Sequence, residues 1–124
     1  MIIGLGLDLC GIERMEKLLQ DERFLRRYFA PEEQAYIRSR GAGAAASMAA
    51  CFAAKEAFVK ALGTGFDGIA PHEVLVLHDQ AGQPHYAPQG EALRCAQQRG
   101  VKRYHLSLSH EGATAAAVAV LEGD

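Results

Sequence analysis

The amino-acid sequence predicts an α+β fold in which an antiparallel sheet packs against one long, alanine-rich helix. Three observations carry that expectation. Residues 2–12 alternate side chains in the period of a strand. Residues 44–62 form a long run of alanine and apolar residues closed by Leu62-Gly63, a glycine stop. The later strands come in pairs separated by short turns, about 73–77 with 84–87 and about 102–109 with 113–121, as antiparallel neighbours require.

In the first strand Ile3, Leu5, Leu7 and Leu9 share one side, which predicts a core-facing row. The other side carries Ile2, Gly4, Gly6, Asp8 and Cys10. Glycine weakens a strand unless something approaches the backbone closely. Two readings follow: an open lane leading to the Asp8 carboxylate, or glycines demanded by packing with Asp8 at the solvent end.

Residues 13–40 read as charged helix interrupted at Ala30-Pro31-Glu32-Glu33, where proline followed by two acids marks a helix start. Seven of the thirteen basic residues lie between Arg14 and Arg40. Arg23, Arg26 and Arg27 share a helix face, although the interleaved Glu16, Asp21 and Glu22 also suit a merely solvated surface. In the long helix, Met48, Phe52, Val59 and Leu62 recur at helical spacing and predict core. Lys55, Glu56 and Lys60 interrupt it, and Glu56 and Lys60 are placed for an exposed ion pair.

The glycine-rich segment 63–68 follows its helix, whereas a phosphate-cradling P-loop precedes one. Asp79-Gln80-Ala81-Gly82 turns the first strand pair, and His110-Glu111-Gly112 joins the last. Residues 88–99 predict a helix with Pro88 near its start and Gly100 at its end.

The 124 residues suit one domain, 1–124, large enough to bury a core without staples. A net charge of −2, no Trp and only nine Phe plus Tyr argue against nucleic acid and an anionic membrane surface as partners. Cys10, Cys51 and Cys95 have neither disulfide-framework nor zinc spacing and read as reduced core thiols. With no basic segment ahead of the first strand, and no apolar run approaching the ~18 residues of a span, the expected location is the cytoplasm.

Asp8 beside glycines and Glu56 among alanines form a sparse carboxylate set. Two carboxylates are too few for a closed calcium site but suit Mg²⁺, which keeps waters and takes phosphate oxygens as further ligands. Lys55 and Lys60 would then supply positive charge to those phosphates.

Gly6-Leu7-Asp8-Leu9-Cys10-Gly11-Ile12-Glu13-Arg14 resembles the G-x-D-x-x-x-x-x-R signature of phosphopantetheinyl transferases. Phe52-Ala53-Ala54-Lys55-Glu56-Ala57-Phe58-Val59-Lys60-Ala61 with Gly63-Thr64-Gly65 resembles their second motif, F-x-x-K-E-A-x-x-K-A-x-G-x-G. Ser107-Leu108-Ser109-His110 is similar to the third. The resemblance covers the whole chain and is to the single-domain, holo-[acyl-carrier-protein] synthase type. It implies that type's fold and the transfer of 4′-phosphopantetheine from coenzyme A to a carrier-protein serine, leaving adenosine 3′,5′-bisphosphate.

By the same resemblance, Asp8 and Glu56 are the Mg²⁺ ligands, and Asp8, Glu56 and Lys60 the catalytic set. Lys55, Lys60, Gly63, Gly65, Ser109 and His110 are implied at the coenzyme A site. Arg14 with Arg23, Arg26 and Arg27 is implied to dock the acidic acyl-carrier protein. Either Glu56 or a metal-bound water takes the serine proton. A homotrimer with inter-subunit sites is implied, because relatives of twice this length hold coenzyme A between two similar halves. Two-domain relatives often place a second acid where Cys10 stands, so Asp8 is the only carboxylate at those two positions of the first motif. Competing readings are a transferase for a specialised polyketide or peptide carrier, a non-catalytic coenzyme A- or carrier-binding module, and a Mg²⁺-dependent phosphohydrolase.

Overall fold

The computed structural model describes all residues, 1–124. In chain order the elements are strand β1 (Ile2–Gly11), helices α1 (Ile12–Leu18), α2 (Glu22–Tyr28), α3 (Pro31–Ser39) and α4 (Ala44–Leu62), strands β2 (Val74–His78) and β3 (Pro84–Pro88), helix α5 (Gly90–Gln98), and strands β4 (Arg103–Glu111) and β5 (Thr114–Glu122). All strand pairing is antiparallel, but in two sheets where one was expected: β1-β5-β4, and the separate hairpin β2-β3.

Helix α4 is the spine. Apolar nearly all round, it is buried nearly all round, as such a helix must be. It packs on β1 and β5 and is flanked by α1, α3 and β2. Met48, Phe52, Val59 and Leu62 are all core, as their spacing predicts. Gly63 ends the helix with φ 79°, donating its N–H to the carbonyls of Val59 and Lys60. Segment Gly41–Leu62 does reach the length and hydropathy of a membrane span, contrary to the sequence expectation. Its apolar surface is spent on the protein's own core.

The faces of β1 are the reverse of the predicted ones. Leu5, Leu7 and Leu9 are 66%, 62% and 64% exposed, whereas Gly6 and Cys10 are buried. The cause is the approach of α4. A Cβ on Gly6 would strike the Ala57 carbonyl, and one on Gly4 would strike that of Ala61. The glycines make a seam for a helix backbone, so the packing reading holds and the open lane does not. Ala115, Ala117, Ala119 and Leu121 of β5 continue this face beneath α4.

Other boundaries differ locally. The 13–40 stretch breaks twice, because Asp21 caps α2 by accepting the Phe24 N–H at 3.1 Å. Pro88 closes β3 instead of opening α5. His110 and Glu111 extend β4, leaving Gly112-Ala113 as the turn. Cys10 and Cys51 are buried and Cys95 half-buried, all as free thiols.

Candidate active site

Asp8 lies on the α4-facing side of β1, two residues beyond the Gly6 contact. Lys60 reaches it from α4: its Nζ is 2.8 Å from Asp8 Oδ1 and donates to the Leu7 carbonyl at 3.1 Å. The expected Glu56–Lys60 ion pair therefore gives way to a Lys60–Asp8 pair, because the strand backbone lies within reach of the ammonium. The hydrogen bond that Lys60 donates to Asp8 holds the Lys60 pKa above its usual value. Glu56 sits one helical turn before Lys60 and is half-buried. Burial pushes its carboxyl upward and the Asp8 charge adds to that, while Lys60 and Arg14 oppose it. Cys10 borders the same group, its thiol raised by burial first.

Asp8 and Glu56 thus form a coupled pair of hard oxygen donors with an ammonium already on one of them. No group of three or more His, Cys, Asp or Glu side chains is arranged to hold a metal ion by itself. That donor set fits Mg²⁺, which needs few protein ligands and takes water and phosphate for the rest. It does not fit zinc or a closed calcium cage.

Lys55 is a correction. Predicted to bind a coenzyme A phosphate, it is 1% exposed and faces away from Asp8. Its three donors are all engaged, at 2.8 Å on Glu33 Oε1, 3.0 Å on the Pro71 carbonyl and 2.8 Å on the Val74 carbonyl. No donor remains for a phosphate. Burial pushes the Glu33 carboxyl up and the Lys55 ammonium down, and their contact opposes both shifts.

Ser109 and His110 are exposed near the end of β4 and are not brought to Asp8 within this chain. His110 pairs with Ala115, whose other neighbour is Cys10, so it shares the α4-facing side at roughly 12 Å from Asp8 by strand geometry. Ser109 points to the opposite face, level with Leu9. Gly63 and Gly65 follow Lys60 with φ of 79° and 59°, turning the chain at the end of α4.

The arginines form a second area. Arg14 lies 5.0 Å over the Phe52 ring, Phe52 is 5.4 Å from Tyr28, and Arg27 lies 5.6 Å over Tyr28. Cations on a shared aromatic strip thus join Arg14 to α2. Beside it, Arg23, Arg26 and Arg27 face the segment 66–72 across an open hollow of about 670 Å³. Sequence reasoning missed Glu33. Its only sign was the second acid after Pro31, which read as a helix start; Glu33 Oε1 does accept the Ala30 N–H at 2.8 Å.

A helix seamed onto a glycine-bearing strand thus carries one carboxylate on each element and a lysine bound to the strand's. The chain belongs to the 4′-phosphopantetheinyl transferase superfamily, which it matches over residues 4–119. It is 48% identical over 123 residues to the holo-[acyl-carrier-protein] synthase of Treponema denticola, covering 99% of this chain and 100% of that protein. Its structure is similar to that of the Neisseria meningitidis holo-[acyl-carrier-protein] synthase, with a TM-score of 0.87 and 35% identity over 98% of this chain and 99% of the other. The Bacillus anthracis holo-(acyl-carrier-protein) synthase, solved in complex with CoA (3′,5′-ADP), is similar with a TM-score of 0.81 and 32% identity over 100% and 99% of the two chains.

Proposed function

We propose that this chain, acting as one transferase domain, moves the 4′-phosphopantetheine arm of coenzyme A onto a serine of apo-acyl-carrier protein. The products are holo-acyl-carrier protein and adenosine 3′,5′-bisphosphate. The observation that carries this is the Asp8–Lys60–Glu56 cluster, set between β1 and α4 in a chain so similar throughout to a carrier-protein synthase. Asp8 and Glu56 would hold Mg²⁺, whose contribution when bound is to neutralise charge on the pyrophosphate.

The chain's own residues do the rest. Lys60 is exposed at the mouth of the cluster and presents its ammonium to the departing bisphosphate. Glu56, whose carboxyl burial pushes upward, or a metal-bound water would accept the serine proton. The serine oxygen bonds to the β-phosphorus as the bond to the bridging oxygen of the pyrophosphate breaks. Gly63 and Gly65 would shape the floor for coenzyme A beyond Lys60. Arg14, Arg23, Arg26 and Arg27 would dock the acidic carrier.

Ser109 and His110 stand apart from Asp8 in one chain, and β1 exposes an apolar row of Leu5, Leu7 and Leu9. Both features support a homotrimer in which a neighbouring copy brings its β4 end to each site. Free thiols and a carrier-protein substrate support a cytoplasmic location.

The test is the intact mass of apo-acyl-carrier protein after incubation with this protein, coenzyme A and Mg²⁺. A gain of one phosphopantetheine, abolished by EDTA, is expected. Coenzyme A cleaved without modification of the carrier would replace transfer by hydrolysis.

A further inference from the structure

The buried Lys55–Glu33 pair joins more of the chain than any other polar contact. Glu33 opens α3, accepting the Ala30 N–H at 2.8 Å and the Val76 N–H of β2 at 2.9 Å. Lys55, on α4, binds Glu33 and holds the carbonyls of Pro71 and Val74. The Phe29 ring covers the ammonium at 5.2 Å. Four segments therefore meet on one ammonium and one carboxylate, with every donor of Lys55 used. A buried ion pair of this kind seldom adds much stability over an apolar replacement of the same volume. Its value lies in where it fixes the groups it touches.

One of those groups belongs to the arginine hollow. Pro71–Glu73 forms a single 3-10 turn that packs against α2. Pro71 and His72 line the hollow opposite Arg23, Arg26 and Arg27. Lys55 holds the Pro71 carbonyl from behind, so its position sets the distance between this wall and the arginines.

We infer that Lys55 and Glu33 are positioning residues for carrier docking: from inside the core they fix the Pro71–His72 wall against which the arginines of α2 present their charge to an acidic partner helix. The inference rests on the docking role proposed above for those arginines. It separates Lys55 from its neighbour Glu56, which belongs to the proposed Asp8 site.

Lys55→Met alone leaves Glu33 buried without its cation, so the informative variant is Glu33→Gln with Lys55→Met, which removes both charges. This variant is expected to unfold cooperatively in urea and to show about a tenfold higher KM and Kd for apo-acyl-carrier protein. Its KM for coenzyme A and its kcat at saturating carrier should stay within about twofold of the parent. Pro71→Gly loosens the same wall without touching the buried pair and should shift the same two constants, so a misfolded double variant does not leave the matter open. An unchanged carrier KM in either folded variant, or a fall in kcat with carrier KM unchanged, overturns the inference. Arg23→Glu with Arg27→Glu is measured in parallel. If those charge reversals also leave carrier KM unchanged, the docking role itself fails; if they raise it while the core variants do not, only the positioning role fails.

Discussion

Lys55 and Lys60 stand five residues apart on the same helix and do opposite things. Lys55 is buried, spends all three donors on protein acceptors and ties together the elements behind α4. Lys60 is exposed and rests on Asp8 at the open side. At about 100° per residue, five residues turn the side chain by roughly 140°, while Glu56 and Lys60 lie only about 40° apart. The K-E-x-x-x-K pattern is therefore two groups facing different ways. One acidic and one basic residue lie toward Asp8, and the remaining lysine faces the core. A helix with apolar residues on every side carries both, because each face has its own partner: β1 in front, α3 and β2 behind.

The largest effect should come from the open face. Glu56→Ala is expected to lower kcat/KM by roughly a thousandfold or more, with little change in the urea midpoint. Phosphopantetheine transfer followed by intact mass, together with urea unfolding, measures both. Lys55→Met should behave in the opposite sense, losing about 3–5 kcal/mol of stability because it strands a buried carboxylate. A stable Lys55→Met protein that has lost only kcat would show that the two faces have been assigned the wrong way round.

Helical arithmetic was available from the residue spacing alone, and it separates Lys55 from Lys60. Which side of α4 meets the solvent was not legible, since apolarity all round gives no moment to orient the helix. The same ambiguity inverted β1. Alternation placed Leu5, Leu7 and Leu9 on one face correctly, but the leucines are the more apolar row and drew the core assignment. The glycine row won in the fold because α4 packs backbone to backbone, and only a residue without Cβ allows that approach. Element types survived well, the strands and α4 above all, because each has a strong period or a glycine stop. Asp8, Glu56 and Lys60 were legible through their motifs. Glu33 was not, since its partner lies 22 residues away and only the folded chain brings them to 2.8 Å.

An intermediate effect should come from the exposed face of β1, whose leucine row contrasts with the glycine row behind it. Leu7→Asp puts charge in the middle of that row without disturbing the α4 seam. Light scattering after size exclusion should fall from about three times the 13.4 kDa of one chain to that mass itself. Activity should fall with it, because the proposed trimer brings the β4 end of one copy to the site of the next. A Leu7→Asp protein with unchanged mass and activity would leave the leucine row without an assembly role.

The smallest effect should come from an exposed cluster of three charges at the end of β5. Glu122, at the end of β5, accepts from His105 Nε2 at 2.9 Å and Arg103 Nε at 3.0 Å. The His105 and Arg103 hydrogen bonds pull its carboxyl down to about 2 from an ordinary 4.5. A folded-state value below the unfolded one means that the contact contributes above about pH 4.5 and is lost as the pH falls toward 2. Glu122→Gln should therefore lie slightly below the parent in urea midpoint at pH 7, and the gap should close by about pH 2. Because solvent screens all three groups, the gap at pH 7 should be far smaller than the loss in Lys55→Met. Urea titrations at pH 7, 4 and 2.5 measure it. A gap that persists or widens at the lowest pH would mean that Glu122 acts through packing rather than charge.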